Sequence, residues 1–195
     1  IKSTVTPDIV TKLHKDNDRV VYNPEFLTEQ NALDDFVNPP MHIFGGDQFY
    51  CKWLHTFYLD HSRCKDRTTR AYFMSPAEAS FVKYGINSFL ASKVLWFNQF
   101  SDICDKYKVR YNTIINAMIT DQRIGSSHVQ VPGSDGRKGY GGACFPKDTN
   151  AFSKFAEGDF SILDLIIEEN NKYRSEYQLD DREKEQNVVY INGKV

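Results

Sequence analysis

No apolar run in the 195 residues reaches the roughly 18 that a membrane-spanning helix needs, so no membrane segment is expected. Charge of either sign is not in excess. Lys and Arg number 24 against 26 Asp and Glu, for a net charge of −2, which excludes the basic surplus of a general nucleic-acid or anionic-membrane binder. Cysteine is sparse, at positions 51, 64, 104 and 144 only. None forms a CxxC pair, so neither a zinc-ligand pattern nor a disulfide framework is present and no metal site is expected. Reduced thiols and a cytoplasmic location are the resulting expectation. The composition, 41% hydrophobic and 26% charged, excludes disordered and fibrous classes and leaves a globular chain.

What is there falls into two patterns. Over residues 1–60, short apolar runs alternate with helical ones. Residues 1–5, 19–22 and 41–44 read as strands, closed respectively by Thr6-Pro7, Asn23-Pro24 and Gly45-Gly46. Residues 8–15, 32–37 and 47–58 read as helices between and after them. The alternation predicts an α/β edge of three short parallel strands with helices, one side of a larger sheet. The chain opens on Ile1 with no Met, and a piece of a longer protein is the expectation.

From Ser75 the pattern turns helical. Ser75-Pro76-Ala77-Glu78 is a helix start, with Pro at the first position and a carboxylate in the first turn. Val82, Ile86, Phe89, Leu90, Val94, Phe97 and Phe100 follow at helical spacing, predicting one helix to about Tyr107, roughly 45 Å long. It is apolar on more than one face, which predicts burial or a subunit interface, hence a homodimer. Further helices are expected at 111–118, 148–155 and 161–173, with a Gly/Ser/Pro-rich loop at 121–142 and a charged, solvated stretch at 177–187. The expected architecture is therefore the α/β edge over 1–60 followed by an all-α domain with one long helix over 61–195.

The segment richest in chemistry is Gly139-Tyr140-Gly141-Gly142-Ala143-Cys144-Phe145-Pro146-Lys147-Asp148. Glycines let backbone approach a ligand closely, and loop amides can cradle anions. Cys144 precedes a predicted helix start and stands near Lys147; both favour a thiolate nucleophile. A buried cysteine beside a tight turn is the alternative. Lys83 and Asn87, four apart, share a helix face, and Lys83 is either a desolvated amine that stabilises an alkoxide or a lysine whose head reaches solvent. Glu25, after a strand, and Thr4, at a strand end, occupy positions where open α/β sheets place ligand groups; solvated loop residues are the alternative. Arg123 is a candidate diphosphate or sugar clamp or a surface group. None of the five histidines has a context that activates a nucleophile, so a cysteine hydrolase built on Cys144 is a weak reading.

In order, Lys2-Ser3-Thr4-Val5, Asn23-Pro24-Glu25-Phe26-Leu27-Thr28-Glu29, Ile43-Phe44-Gly45-Gly46, Lys83 to Ala91, Asp121-Gln122-Arg123-Ile124-Gly125 and Gly139 to Asp148 resemble the UDP-glucose/GDP-mannose dehydrogenase family. The resemblance spans residues 1 to about 175. It implies NAD-dependent oxidation of a nucleotide-sugar C6 alcohol to the carboxylate, as in UDP-glucose to UDP-glucuronate, through a cysteine thiohemiacetal and thioester. By resemblance Cys144 is the thiol, Lys83 and Asn87 stabilise the oxyanion, and Asp148 assists proton removal. Glu25 directs water at the thioester with Thr4 helping to hold it. Arg123, Phe26, Leu27, Tyr140 and Gly141 contact substrate, Arg123 from a neighbouring subunit. Lys147 and Glu29 meet the cofactor, or Lys147 orients Asp148.

The chain also departs from the family. None of its eleven glycines builds the GxGxxG of a dinucleotide fold. Gln30 stands where the family has Gly, Pro40-Met41-His42 replaces an Asp-Arg step, and Pro132 to Gly136 lengthen the loop before Cys144. An isolated chain without turnover is the expectation. A non-catalytic nucleotide-sugar-binding or dimerisation module is the rival.

Overall fold

The computed structural model describes residues 1–28, 31–64 and 68–191. Contacts divide the chain into two compact units, Ile1–Gly85 and Ile86–Val195.

The first unit is built on a βαβ element. Strand β1 (Met41–Gly45) leads through helix α3 (Gln48–His61) to strand β2 (Arg70–Met74), and the strands pair in parallel, Met41 with Arg70 through Gly45 with Met74. Asp47 caps α3 by accepting from the Phe49 and Tyr50 amides at 2.8 and 3.4 Å. Alternation along β1 sends Ile43 to one face, with Val10, Tyr22 and Ala79, and Phe44 to the other, with Val21 and Cys51. Helix α1 (Pro7–Asp16) starts on Pro7 with Asp8 in its first turn and His14 and Lys15 in its last, in accord with the helix dipole. Helix α2 (Ala32–Val37) is a short surface turn.

Two strands, not three, form the sheet among the described residues. Residues 1–5 form no strand; Ile1 is joined to the 21–23 segment, its nitrogen donating to the Val21 carbonyl and its carbonyl accepting from the Asn23 amide, each at 2.8 Å. Residues 19–22 make one antiparallel bridge, Tyr22 with Gly45. It cannot lengthen, because Pro24 has no N–H to give and Val20 closes a turn onto the Asn17 carbonyl. Strand β2 carries no clear alternation; it is largely exposed, so its sequence gave no period to read.

Helix α4 (Pro76–Lys106) runs 31 residues. Its start is a reciprocal cap. Ser75 Oγ accepts from the Glu78 amide at 3.3 Å, and Glu78 Oε2 accepts from the Ser75 amide at 2.8 Å. It ends where Lys108 takes a left-handed φ of 56°. Helix α5 (Tyr111–Met118) packs Tyr111 and Ile115 against Phe97, Cys104 and Val129. Helices α6 (Phe145–Ala156) and α7 (Ser161–Arg174) follow the 121–142 loop.

The charged stretch at 177–187 is not simply solvated. It contains a short helix, α8 (Asp181–Glu185), whose Asp180 and Glu183 form a capping box, and Glu183 is inaccessible to solvent. Its carboxylate takes the Arg174 guanidinium at 2.7 Å, and Arg174 gives a second bond of 2.7 Å to Asp135. Burial is the largest influence on the Glu183 carboxyl and pushes it up. The Asp180 amide, Arg174 and Tyr190 outweigh it, and the net displacement is downward.

Gly45 is fixed by packing. A Cβ there would lie 2.6 Å from the Ala79 Cβ and 2.9 Å from Pro76 Cα, so β1 meets the start of α4 only through a glycine. Gly45→Ala is expected to destabilise the first unit by about 1–3 kcal/mol, the usual cost of overpacking, measured by urea unfolding.

Candidate active-site residues

The glycine-rich segment leads into α6. Gly139 and Gly142 adopt φ of 77° and 76°, where a side chain is strained. The loop is bound from below at each step. The Gly139 amide donates to Asn98 Oδ1 at 3.1 Å. Tyr140 is gripped from both sides, its amide donating to Asn170 Oδ1 at 2.7 Å and its carbonyl accepting from Asn170 Nδ2 at 3.0 Å. The Gly142 amide donates to Glu183 Oε1 at 3.3 Å. Tyr140 is buried, which pushes its phenol up to about 12.

Cys144 is the residue immediately before α6, with Pro146 in the first turn. It is exposed, whereas Cys51, Cys64 and Cys104 are buried, and none of the four is in a disulfide. One turn on, Asp148 is fully buried. Asn87 Nδ2 donates to its Oδ2 and Lys147 Nζ to its Oδ1, each at 2.5 Å. Asn87 is itself buried. The structure thus groups Asn87, Lys147 and Asp148 in one ion-pair and hydrogen-bond cluster at the start of the helix that Cys144 precedes.

In the first unit, Lys83 is only 7% exposed, which removes the solvated-head alternative. Its Nζ donates to the Glu25 carbonyl at 2.7 Å and lies 5.3 Å from the centre of the Phe26 ring. Glu25, Phe26 and Leu27 line a cavity of about 380 Å³, counting its solvent-filled mouth, together with Lys2, Asn23, His42, Tyr58 and Cys64. Asn23 locks the turn before Glu25. Its Oδ1 accepts from Lys2 Nζ at 3.0 Å and Tyr58 Oη at 2.9 Å, and its Nδ2 donates to the Ile43 carbonyl at 2.8 Å. Burial is the main influence on Lys2 and lowers its ammonium.

Thr4 is partly exposed at the end of the first segment. Arg123 is a surface residue, its side chain 89% exposed and forked on Asp121, with Nη2 to Oδ2 at 2.6 Å. The hydrogen bonds it donates to Asp121 raise its guanidinium further. Glu29 lies outside the described residues. Sequence reasoning missed Asn98, Asn170, Arg174 and Glu183. A signal existed for part of this set: Asn170 and Arg174 are four apart on one helix, and Asp180-x-x-Glu183 is a capping-box spacing.

A long helix and a glycine loop that delivers an exposed cysteine to a helix start are features of a dehydrogenase domain. The comparisons make this specific. Residues 77–172 match the central domain of the UDP-glucose/GDP-mannose dehydrogenase family, and the chain is a partial-length homologue of UDP-glucose 6-dehydrogenases. It is 37% identical over 159 residues to the UDP-glucose 6-dehydrogenase of Pseudomonas aeruginosa, covering 80% of this chain and 33% of that one. It is 30% identical over 182 residues to the UDP-glucose 6-dehydrogenase of Rickettsia bellii, covering 88% and 40%. The structure of a UDP-glucose dehydrogenase from the archaeon Pyrobaculum islandicum matches with a TM-score of 0.72 at 31% identity, over 88% of this chain and 40% of that one. The chain spans two fifths or less of the length of these relatives.

The family is NAD-dependent, and the fit of the described residues to NAD can be judged from their glycines. A Cβ on Gly45 would run into Ala79 and Pro76, and one on Gly46 would lie 3.0 Å from the Val20 carbonyl and 3.5 Å from Cys51 Sγ. Both glycines are packed against protein, and Lys147 pairs with Asp148. With no GxGxxG in the sequence, Gly45, Gly46 and Lys147 do not fit a dinucleotide pyrophosphate. Among the described residues no group of three or more His, Cys, Asp or Glu could hold a metal ion, and no helix is long and apolar enough to cross a membrane.

Asn87→Leu removes the donor to Asp148 Oδ2 inside a buried site. Unfolding of the second unit in urea is expected to show a loss of about 1–3 kcal/mol. A loss within 0.3 kcal/mol of zero, roughly the scatter of such measurements, would show that the contact contributes nothing.

Proposed function

We propose that this chain carries the thiol chemistry of nucleotide-sugar 6-dehydrogenation, with UDP-glucose converted to UDP-glucuronate as the reaction. The observation that carries the reading is Cys144, exposed immediately before α6 while the other three cysteines are buried. The functional division into residues 1–60, the end of a dinucleotide-binding α/β domain, and 61–195, the thiol and dimer domain, is part of the same proposal.

The Cys144 thiolate adds to the C6 aldehyde. A C–S bond forms, the carbonyl π pair moves to oxygen, and Lys83 and Asn87 supply the donors for that oxyanion. The thiohemiacetal restores a tetrahedral C–H that a bare aldehyde lacks; loss of its hydride, which NAD held outside these residues would accept, and of its hydroxyl proton would give the thioester, which is why a thiol is needed for the second oxidation. Asp148, held by Lys147, receives a proton by way of a water molecule. Glu25, with Thr4, directs water at the thioester; the C–S bond breaks and leaves carboxylate and thiol. Phe26 and Leu27 contact the nucleotide-sugar, Tyr140 and Gly141, packed on Asn170 and Arg174, shape the thiol loop instead of lining substrate, and Arg123 serves a neighbouring subunit. Glu29 would meet cofactor in a longer chain.

A homodimer is part of this reading. Phe81, Phe89, Trp96 and Ile103 lie exposed on α4, and Ile162 and Leu165 on α7, which Gln99 ties to α4 through Glu169 at 3.3 Å. The same stripe favours the rival, a dimerisation or nucleotide-sugar-binding module without catalysis.

Iodoacetamide is expected to label Cys144 well before Cys51, Cys64 and Cys104, read by peptide mass mapping; equal labelling of all four would sink the thiol assignment. Mixed with UDP-glucose and NAD, the 195 residues are expected to give no reduced-nicotinamide absorbance, and robust turnover would overturn the reading of a chain that needs further residues. Sedimentation is expected to give a dimer at micromolar concentration. Trp96→Glu should weaken it by about 30-fold or more, the effect of losing a central aromatic anchor, and a wild-type monomer would refute the interface.

A further inference from the structure

We propose that Glu183 and Arg174 are positioning residues for Cys144, acting through the backbone of the glycine loop; the proposal rests on the reading of Cys144 as the reacting thiol. The loop lies directly on this ion pair. A Cβ placed on Gly141 would sit 1.8 Å from Arg174 Nη2, 2.3 Å from its Cζ and 2.6 Å from Glu183 Oε1. No rotamer change relieves such an overlap, because both side chains are fully buried and bonded: Arg174 Nη2 to Glu183 Oε1 and Nη1 to Asp135 Oδ2, each at 2.7 Å. Gly141 is therefore glycine because the guanidinium occupies the volume where a side chain would go.

The next residue is held by charge. Glu183 Oε1 accepts the Gly142 amide at 3.3 Å, two residues before Cys144, and also the Tyr190 hydroxyl at 2.8 Å. Its Oε2 accepts the Asp180 amide at 2.9 Å and faces Arg137 Nη1 at 3.6 Å. The carboxylate thus joins α8, the 133–139 loop and the last residues before the thiol. With φ of 76° at Gly142, the chain turns into α6 at the point where this acceptor holds it. Displacing Gly142 moves Cys144 relative to the N-terminal end of α6, and a helix N-terminus favours an anionic sulfur placed near it.

The alkylation rate of Cys144 by iodoacetamide, followed against pH in the full chain, reads this directly and needs no turnover. Glu183→Gln keeps the shape and removes the charge. Cys144 is expected to react about tenfold more slowly at pH 7, with its pH midpoint about one unit higher. Glu183→Asp, which keeps the carboxylate, should recover most of the loss. A folded Glu183→Gln protein, judged by near-ultraviolet circular dichroism, with unchanged rate and midpoint would overturn the proposal. Where Glu183→Gln does not fold, Tyr190→Phe decides, since it removes one donor from the same oxygen. A smaller rise of the midpoint supports the positioning role, and no change overturns it. Wild-type Cys144 reacting no faster than in the urea-unfolded chain defeats the nucleophile reading itself, before any variant is compared.

Discussion

Arg174 and Glu183 are both closed off from water, and a lone charge in either position would cost several kcal/mol of lost hydration. Together they are tolerable because each is bonded more than once. The guanidinium reaches Glu183 and Asp135, and the carboxylate also takes Tyr190 and the Asp180 and Gly142 amides. The satisfaction is incomplete, since Arg174 Nε has no hydrogen-bond partner among the described residues. A well-packed apolar pair could be equally stable, so stability alone does not account for the ions. What they add is register. A carboxylate with several fixed donors and a fork with two fixed acceptors leave the four segments they join few alternative arrangements.

That register is passed along the loop by a few backbone bonds. Asn98 takes the Gly139 amide, Asn170 takes both polar groups of Tyr140, and Glu183 takes the Gly142 amide. Each buried backbone group is thereby given a partner in a region with neither helix nor strand to supply one. The segment delivers Cys144 to the start of α6 with its side chain open to solvent, while Asp148, a turn later, faces inward to Asn87 and Lys147. An outward thiol and an inward carboxylate four residues apart have separate environments on one helix.

The elements whose signals are local were legible in the sequence. Proline and a first-turn carboxylate mark α1 and α4, and apolar spacing carries α4 to within a residue or so of its observed end. The sheet was less legible, because pairing is a property of two segments at once. Residues 19–22 have strand-like composition, but Asn17 and Pro24 limit them to a single bridge. Strand β2 is half-exposed and offers no alternation to detect. In the thiol segment the residue types were legible and their supports were not. The glycines there suggested a ligand cradle, yet two of them face protein: Gly139 lies against Asn170 and Tyr173, and Gly141 against Arg174 and Glu183. A stretch as charged as 177–187 reads as solvated unless the partner of its glutamate is known, and that partner is on another helix.

Helix α4 explains why its own pattern was ambiguous. Its inward side is unusually polar, with Ser80, Lys83, Asn87, Ser88, Asn98 and Ser101 all buried, while Phe81, Phe89, Trp96 and Ile103 remain exposed. These polar residues share the buried face with Ala79, Tyr84, Ala91, Leu95, Phe97 and Cys104, so only part of the helix's apolar content lies inward. Most of the buried polar groups have definite work in the fold: Ser80 binds the Val5 carbonyl, Lys83 the Glu25 carbonyl, Asn87 the Asp148 carboxylate and Asn98 the Gly139 amide. Placing those donors and acceptors inward takes up positions that apolar side chains would otherwise fill. The apolar side chains then fall on the opposite face, where a second surface must cover them if they are to contribute by burial. The buried polar groups and the exposed apolar stripe of α4 thus have a common origin in the donors and acceptors the helix supplies to its own units.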